Sequence, residues 1–236
     1  MNTAVIIQAR LNSCRFQEKV LKKIGGKSII NLIFERLKKS KKIDKIIFAI
    51  PKNKRERKLY KHLKKSKANI YLGKEKDVLD RYYKAARKYS VKNIIRVTGD
   101  CPLVDSKLVD QMISFFEKNN YDYISNNLIR TYPHGLDVEI FSFNALQIAW
   151  KKAKKIEHRE HVTPFLKEDN KIKKFNVINK NDFSNLRWTI DLPVDYQVVK
   201  KIYNHFRPDI YFDWKDALNF CLKNKKILTN KHLETN

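Results

Sequence analysis

The sequence has few of the residues and runs that mark several classes of protein. Its 236 residues include three cysteines, Cys14, Cys101 and Cys221, an odd number without paired spacing. Such spacing fits neither a disulfide framework nor a structural zinc site and indicates reduced thiols. The longest apolar runs, at 4–7 and 46–50, are far shorter than the roughly 18 residues that cross a bilayer. We therefore expect no membrane span and no membrane partner.

Signals for export and for division into several domains are also missing. Only Met1, Asn2 and Thr3 precede the first apolar run, without a basic leader or a small-residue cleavage site, so we expect a cytoplasmic protein. No linker rich in proline, glycine or serine and no internal repeat is visible. With 42% hydrophobic residues the chain can build a sizeable core, which argues against disorder. We predict a single domain over residues 1–236.

Acidic residues are scarce relative to basic ones. There are 51 Lys+Arg against 25 Asp+Glu, a net charge of +26, and a nucleic acid is the first partner that such a charge suggests. The alternative is lysine placed on solvated faces by codon bias. Residues 51–70 carry nine Lys/Arg and the single acid Glu56, but only one aromatic residue, Tyr60, for stacking on bases. We favour a solvated amphipathic helix there and expect no nucleic acid, while a basic nucleic-acid-binding protein stays the alternative of a different class.

Apolar runs alternate with helical patterns along the first half of the chain. The pattern predicts strands at 3–8, 44–50, 69–72 and 93–98, and helices at 28–40, 54–66, 77–90 and 106–118. Such alternation is typical of parallel strands covered by helices on both faces. We predict an α/β fold with a doubly wound, mostly parallel sheet.

The alternation of apolar runs with helical patterns is interrupted in the region 120–190. Strand-like segments occur at 121–125, 137–142, 173–178 and 186–190, with helical patterns at 143–155 and 159–168 between them. We therefore expect a mixed-sheet excursion around 120–190 beside the main sheet. Two further helices are predicted, one after Asp191 and one near 213–223.

The loop after the first strand carries three cations, Arg10, Arg15 and Lys19. Ligands of open α/β sheets bind at the carboxyl ends of the strands, and a polyphosphate is neutralised well by forked guanidiniums and an ammonium group. The alternative is a basic surface loop. A Walker A loop is excluded. That motif needs a glycine five residues before the glycine of Gly26-Lys27-Ser28, and this position is Leu21. The pair Gly25-Gly26 more simply turns the chain into the next helix.

Two carboxylates follow strand-like segments. Asp100 comes after IIRVTG and Asp191 after LRWTI, so each could bind Mg²⁺, which takes oxygen ligands. For Asp100 the alternative is a helix cap. Capping is the favoured interpretation for Asp105, and Asp195 is interpreted as an acid in the first turn of the last long helix.

The region 120–190 supplies further polar residues that could form a wall for a second substrate, the alternative being plain surface. They are Tyr132, His134, Asp137 and Glu139, followed by Arg159 and His161. Zinc is disfavoured there, because the pattern is not H-E-x-x-H and no cysteine lies nearby.

Taken together, these motifs resemble the cytidylyltransferases that activate sugar acids, and most of all their spore-coat-polysaccharide branch. The resemblance spans about residues 3–205. It rests on QARLNSCRFQEKVLKKIGGKSI, GDCPLV and IDLPVD, in order, with YPHGLDVEIFSFNAL and REHVTPF in the middle.

The resemblance implies a nucleotide-diphospho-sugar transferase-like fold that uses CTP and Mg²⁺. The nucleotide would be bound by Ala9, Arg10, Ser13, Arg15, Lys19, Thr98 and Gly99. Arg15, Lys19 and Asp100 would be catalytic, and Asp100 and Asp191 would hold the metal. Tyr132, His134, Asp137, Glu139, Arg159 and His161 would contact an anionic acceptor, a sugar acid or a phosphorylated small molecule. The implied reaction transfers CMP with release of pyrophosphate, in polysaccharide or surface-glycan biosynthesis, and a homodimer is implied as well.

One departure from the family pattern concerns the loop itself. The Leu-Pro-Gly of the family is Phe16-Gln17-Glu18 here, which places an anion beside the expected triphosphate unless Glu18 points outward or pairs with a lysine. Two alternatives stay open besides the nucleic-acid-binding protein. One is a nucleotidyltransferase for another nucleoside triphosphate, and the other is an inactive homologue that is retained as a binding subunit.

Overall fold

Seven strands form one sheet in the computed structural model, which describes residues 2–224. The strands are β1 (Thr3–Gln8), β4 (Lys45–Pro51), β5 (Asn69–Gly73), β6 (Asn93–Thr98), β7 (Tyr123–Ser125), β8 (Glu139–Ser142) and β9 (Lys174–Asn176). Their order across the sheet is β5-β4-β1-β6-β8-β7-β9. Strand β8 pairs antiparallel with β6 and β7, and the other pairs are parallel. The predicted mostly parallel sheet with a mixed region is confirmed.

Helices cover both faces of this sheet. They are α1 (Ile29–Leu37), α2 (Arg57–Lys65), α3 (Val78–Lys88), α4 (Ser106–Lys118), α5 (Phe143–Lys152), α6 (Ile156–His161), α7 (Pro164–Glu168), α8 (Pro193–Phe206) and α9 (Trp214–Lys223). Alternate residues of β1 point to opposite faces. Val5 and Ile7 join the core under α1, α4 and α8, whereas Ala4 and Ile6 join the core under α3 and α5. The sheet is therefore doubly wound.

The short hairpin of β2 (Lys23–Ile24) and β3 (Lys27–Ser28) explains the glycine pair. Gly25 and Gly26 both have positive φ, which glycine adopts without steric cost. Ser28 then begins α1, since its hydroxyl accepts a hydrogen bond from the Asn31 amide. The predicted turn is confirmed.

Two predictions in the region 120–190 are wrong. Residues 186–190 do not form a strand, because Arg187 makes one isolated bridge to His134 and the Ile190 amide donates to the Asp100 carbonyl. The helix predicted at 159–168 is split into α6 and α7. The chain turns at Val162, which has φ of 72°. Pro164 then lies in the first turn of α7, where proline is tolerated because its missing amide has no partner to lose. Of the described helices, none has the length and apolarity needed to cross a membrane.

Candidate active site

The candidate site lies where β1 and β6 end side by side, since Gln8 pairs with Thr98 in the parallel register. A cavity of about 340 Å³ opens there. The residues predicted to bind the nucleotide all line it: Ala9, Arg10, Ser13, Arg15, Lys19, Thr98 and Gly99. Asp100, Asp191 and His161 also line it. The fold thus brings together two loops that are about 90 residues apart in the chain.

Gly99 permits this close approach of the two loops. Its amide donates to the Gln8 carbonyl at 2.9 Å. A Cβ at position 99 would lie 3.0 Å from both the Ala9 Cβ and the Gln8 carbonyl oxygen. Only glycine therefore fits without a shift of the first loop, which sets the distance between that loop and Asp100.

Lys19 is the centre of the site. Its Nζ donates to Asp100 Oδ2 at 2.8 Å, to the Ile190 carbonyl at 2.7 Å and to Asp191 Oδ1 at 2.9 Å. The side chain is only 11% exposed. Burial by itself would lower the pKa of Lys19, but the attraction of Asp100 and Asp191 outweighs it, and the pKa is raised. The ammonium group therefore stays charged and donates a hydrogen bond to each of the two carboxylates.

Asp191 is held by two guanidiniums as well as by Lys19. Arg15 Nη2 lies 3.1 Å from Asp191 Oδ1, and Arg187 Nη2 donates to Asp191 Oδ2 at 2.6 Å. Burial favours the protonated acid, yet the cations, Lys19 foremost, lower the pKa of Asp191 below its usual value. The carboxylate is thus ionised and can exchange a cationic side chain for another cation.

Asp195 fixes the backbone that carries Asp191. It is fully buried, and its Oδ2 accepts from the amides of Asp191 and Leu192 at 2.9 Å each. Its Oδ1 lies 3.3 Å from Arg187 Nε. The interpretation of Asp195 as an acid in the first turn of α8 is confirmed. Asp105 likewise caps α4 as predicted, since its carboxylate accepts from the Leu108 amide at 2.8 Å.

Asp100 and Asp191 fit a hard divalent cation. Both present carboxylate oxygens to the same positive charge, and Mg²⁺ is often bound by one or two carboxylates together with phosphate and water oxygens. Among residues 2–224, no group of three or more His, Cys, Asp and Glu side chains is gathered as for a metal held by protein alone. A cation here would therefore share its coordination with a bound substrate.

Sequence reasoning missed Glu56, which anchors the cationic loop. The side chain is 1% exposed, and both of its oxygens accept from the Leu11 amide at 3.0 Å. Burial raises the pKa of Glu56, although the bond from Leu11 acts against that rise. A signal was available, because Glu56 is the only acid among the nine Lys/Arg of residues 51–70. An isolated acid in a basic segment is a candidate for a specific contact.

Glu18 has the backbone conformation of a glycine, with φ of 52° and ψ of 22°. Its carboxylate points to Lys58, whose Nζ lies 2.5 Å away, and this pair is 45% exposed at Glu18 and 63% at Lys58. The anion is therefore paired outside the cluster formed by Lys19 with Asp100 and Asp191. The left-handed backbone costs a residue with a Cβ roughly 1–2 kcal/mol, which accounts for the glycine of the family pattern at this position.

Replacing Glu18 by Gly is expected to stabilise the fold by about 0.5–1 kcal/mol, because relief of the backbone outweighs an exposed ion pair. Thermal unfolding of the variant measures this gain. Glu18→Ala is the matched control, since it removes the carboxylate and keeps the Cβ; it should show no gain. If the glycine variant were less stable than the natural chain, the Lys58 pair would be the stronger effect.

The residues predicted to contact an acceptor divide into two groups. His161 lines the cavity. His134 and Asp137 connect to the site through Arg187, whose Nη1 lies 3.2 Å from His134 Nδ1, while His134 Nε2 lies 3.8 Å from Asp137 Oδ2. Because arginine can only donate, His134 Nδ1 must accept, and burial lowers the pKa of His134 in addition. A neutral imidazole therefore faces Asp137.

The other three predicted acceptor residues do not face the cavity, and the prediction is corrected for them. Tyr132 is 7% exposed and packs edge-on against Trp214. Arg159 makes a bidentate pair with Asp77, at 2.9 and 2.6 Å. Glu139, the first residue of strand β8, is 1% exposed. Each of these side chains is used in packing or in an internal ion pair.

Glu139 forms the centre of a buried polar cluster. It pairs with Arg96, accepts from Tyr123 Oη at 2.6 Å and from Thr163 Oγ1 at 2.8 Å, and lies 3.0 Å from Lys167 Nζ. Burial disfavours the charged carboxylate, but Arg96 and Lys167 lower its pKa to about 2. Thr163 directly follows the turn at Val162, so this cluster also fixes the segment that carries His161 to the cavity.

We expect Glu139 to contribute a pH-dependent part of the stability. A carboxyl with a folded pKa of about 2 and an ordinary value of 4.5 stabilises the fold by about 3 kcal/mol above pH 5, and this contribution is lost as the pH falls through 4.5 toward 2. Denaturant unfolding of the natural chain and of Glu139→Gln at pH 7 and pH 3 measures it. The difference between the two proteins should shrink by more than half at pH 3; a constant difference would contradict the ionised state of Glu139.

Comparison with known proteins agrees with this geometry. Residues 4–227 match the family model described as cytidylyltransferase. A protein of Methanocaldococcus jannaschii without an assigned function is 39% identical over 225 residues, covering 94% of this chain and 91% of that protein. The spore coat polysaccharide biosynthesis protein SpsF of Bacillus subtilis is 30% identical over 217 residues, covering 87% and 88% of the two chains.

The solved structures that resemble this chain include a cytidylyltransferase. The structure of a cytidylyltransferase from Leptospira borgpetersenii superposes with a TM-score of 0.94 at 32% identity, with both chains covered completely. A CMP:2-keto-3-deoxy-manno-octonic acid synthetase complexed with CTP superposes with a TM-score of 0.66 at 14% identity, covering 87% of this chain and 99% of that one. This second likeness concerns the fold alone. The match of the family model along almost the whole chain shows that this protein belongs to the cytidylyltransferase family.

Proposed function

We propose that this protein transfers CMP from CTP to an anionic small-molecule acceptor, a sugar acid or a phosphorylated compound, and releases pyrophosphate. The observation that carries the proposal is the contact of Lys19 with both Asp100 and Asp191 in a cavity that Arg10 and Arg15 also line. Family membership supports the cytidylyl group. The likeness to a spore coat polysaccharide biosynthesis protein supports a place in the synthesis of a polysaccharide or surface glycan.

The side chains suit displacement at the α-phosphorus of CTP by an acceptor oxygen. Arg10 and Arg15 are half or more exposed at the cavity, 51% and 64%, so both can bind a triphosphate. Lys19 and Arg15 would contact the β- and γ-phosphates and bind them more strongly as charge moves onto the leaving pyrophosphate. Positioning and charge neutralisation are the main contributions that a protein makes to such a transfer.

Binding of the triphosphate would require Lys19 to exchange partners. In the present arrangement its ammonium neutralises Asp100 and Asp191. When Lys19 turns to the phosphates, those two carboxylates become free to hold Mg²⁺. That cation, when bound, would neutralise phosphate charge and lower the pKa of the acceptor hydroxyl. Asp191 stays oriented during the exchange, because Arg187 and the helix start at Asp195 still fix it.

The acceptor is proposed to lie on the side of Asp191 that faces Arg187 and His134. Arg130 pairs with Asp137, which lies near His134, and Arg187 joins His134 to Asp191. This arrangement offers guanidinium groups to an anionic acceptor next to the carboxylates of the site. His134 is 39% exposed, so it can contact a ligand directly, and His161 would contribute from the cavity wall.

A pyrophosphate-release assay tests the proposal. The protein is incubated with Mg²⁺, a panel of sugar acids and phosphorylated small molecules, and CTP, UTP, GTP or ATP in turn. We expect release that needs both CTP and one class of anionic acceptor. A preference for another nucleotide would overturn the cytidylyl assignment, and CTP turnover with neutral acceptors alone would overturn the acceptor class. The expected homodimer stays a prediction, which the mass in solution by light scattering would test.

A further inference from the structure

The turn between α6 and α7 has a strained backbone at Val162. Its φ is 72° and its ψ is −55°, and the Thr163 amide donates to the His161 carbonyl at 2.9 Å. This is a γ-turn with positive φ, the rarer and strained form, whose ideal angles are about +75° and −65°. Val162 is β-branched, which makes a positive φ still less favourable. The surrounding structure must therefore hold this turn in place.

Interactions on both sides of the turn fix it. Val162 itself is fully buried in the core on the α3 side of the sheet. After it, Thr163 is 2% exposed and donates its hydroxyl to Glu139 Oε1 at 2.8 Å. Before it, Arg159 makes its bidentate pair with Asp77, the residue that caps α3. The segment 159–163 is therefore anchored at its first and last residues and at the turn.

The two residues between these anchors, Glu160 and His161, both line the cavity. Glu160 Oε1 lies 4.0 Å from Arg10 Nη2. His161 is exposed, and within residues 2–224 no hydrogen bond or ion pair fixes its imidazole. The backbone of the segment therefore decides where this imidazole lies. Strained backbone conformations cluster at functional sites, where they hold a group in a position that a relaxed chain would not give it.

We infer that the γ-turn at Val162 holds the imidazole of His161 against the acceptor, with Val162 and Thr163 as positioning residues. This inference rests on the proposed function. The transfer depends on placing an acceptor oxygen at the α-phosphorus, and a misplacement of about 1 Å in a contacting group has a large effect on such a reaction. Without its anchors the turn would relax to an unstrained conformation, and His161 would leave its place on the cavity wall.

Thr163→Val tests the inference, because it keeps the shape of the side chain and removes the hydroxyl that donates to Glu139. We expect it to lower kcat/KM for the acceptor about tenfold, mainly through a higher KM. Thr163→Ser keeps the hydroxyl, so this matched control should be close to the natural protein. In a His161→Ala background, Thr163→Val should cause almost no further loss, because residues that act through one group are not additive. Additive losses would overturn the inference.

Val162→Gly and Val162→Ala form a second, independent test. Both remove most of the same buried side chain, but only glycine adopts the positive φ without strain. We expect Val162→Gly to unfold at a higher temperature than Val162→Ala and yet to have the lower kcat/KM, because the relaxed turn no longer holds His161. If the more stable of the two variants were also the more active, the turn would have a structural role alone.

The imidazole resonances of protein labelled with ¹⁵N-histidine report the position of His161 without any turnover, and His161→Ala identifies them. Thr163→Val and Val162→Gly should shift the His161 resonances, whereas Thr163→Ser should not; unchanged resonances in the first two variants would overturn the inference. If Thr163→Val fails to fold, the pair of variants at position 162 decides. Failure of the proposed function is distinguishable, because the natural protein would then release no pyrophosphate, whereas failure of this inference leaves that release intact and the His161 resonances unmoved.

Discussion

Replacing Asp100 by Asn is expected to lower CTP-dependent pyrophosphate release by about three orders of magnitude, while thermal stability changes little. The amide keeps the shape of the side chain but removes the charge that would hold a metal ion. The fold should survive, because Lys19 keeps its bonds to the Ile190 carbonyl and to Asp191. Steady-state assays with and without Mg²⁺, combined with thermal unfolding, measure both effects.

Asp105→Ala is a control with the opposite expected result, a loss of stability without a large loss of turnover. Asp105 caps α4 through the Leu108 amide and also accepts from the Trp214 amide at 2.8 Å, so its loss should lower stability by about 1–2 kcal/mol without a large loss of turnover in the folded protein. The pair of variants separates chemistry from folding. Near-normal turnover of Asp100→Asn would remove Asp100 from the metal site and leave Asp191 as the only candidate carboxylate.

The main sheet and the cluster of Lys19 with the two aspartates could be predicted from the sequence. Their signals are apolar runs of neighbouring residues and polar residues that directly follow such runs. Buried parallel strands are continuous apolar runs, such as those at 3–8 and 44–50. The carboxyl ends of parallel strands meet at one edge of the sheet. The positions of Arg15, Lys19 and Asp100 after such strands therefore predict that they lie close together. Asp191 was predicted from the strand-like segment LRWTI. That segment forms no regular strand in the structure, so the carboxylate was identified although its local structure was predicted wrongly.

The wall predicted from the region 120–190 was only partly right, because the environment of a polar residue depends on distant partners. Glu139 alternates with apolar residues on a strand, and nothing near it in the chain shows that Arg96 and Lys167 neutralise it inside the core. Arg159 is likewise taken up by Asp77, 82 residues away. Gln8 and Arg81 were not predicted as site residues, yet both line the cavity, and each has a buried side-chain atom without a hydrogen-bond partner among the described residues.

The second large effect is expected from Gly135, which has φ of 110°. A Cβ there would lie 2.5 Å from the Thr189 amide nitrogen and 2.7 Å from the Trp188 carbonyl carbon. Both are backbone atoms of a fixed segment, since the amides of Trp188 and Thr189 donate to the His134 carbonyl at 2.6 and 3.0 Å. A methyl group at position 135 must therefore displace one of the two chains.

Gly135→Ala should cost about 3–5 kcal/mol of stability, from the left-handed backbone and the collision together. It should also lower turnover about a hundredfold in the molecules that fold, because the displaced segment leads directly to Ile190 and Asp191 and a shift of about 1 Å at reacting groups has effects of this size. Denaturant unfolding and pyrophosphate release at a temperature well below the midpoint measure the two losses separately.

Gly26→Ala is the matched control for Gly135→Ala. Gly26 also has a positive φ, of 85°, but a Cβ there would meet nothing within 4 Å. This variant should therefore show only the backbone cost, about 1–2 kcal/mol, and normal turnover. If both variants lost the same stability, the contact of Gly135 with residues 188 and 189 would be relieved by a small adjustment. The orientation of Asp191 would then depend on its side-chain and backbone partners, Lys19, Arg187 and Asp195. Gly135 would matter only for the turn between Pro133 and Leu136.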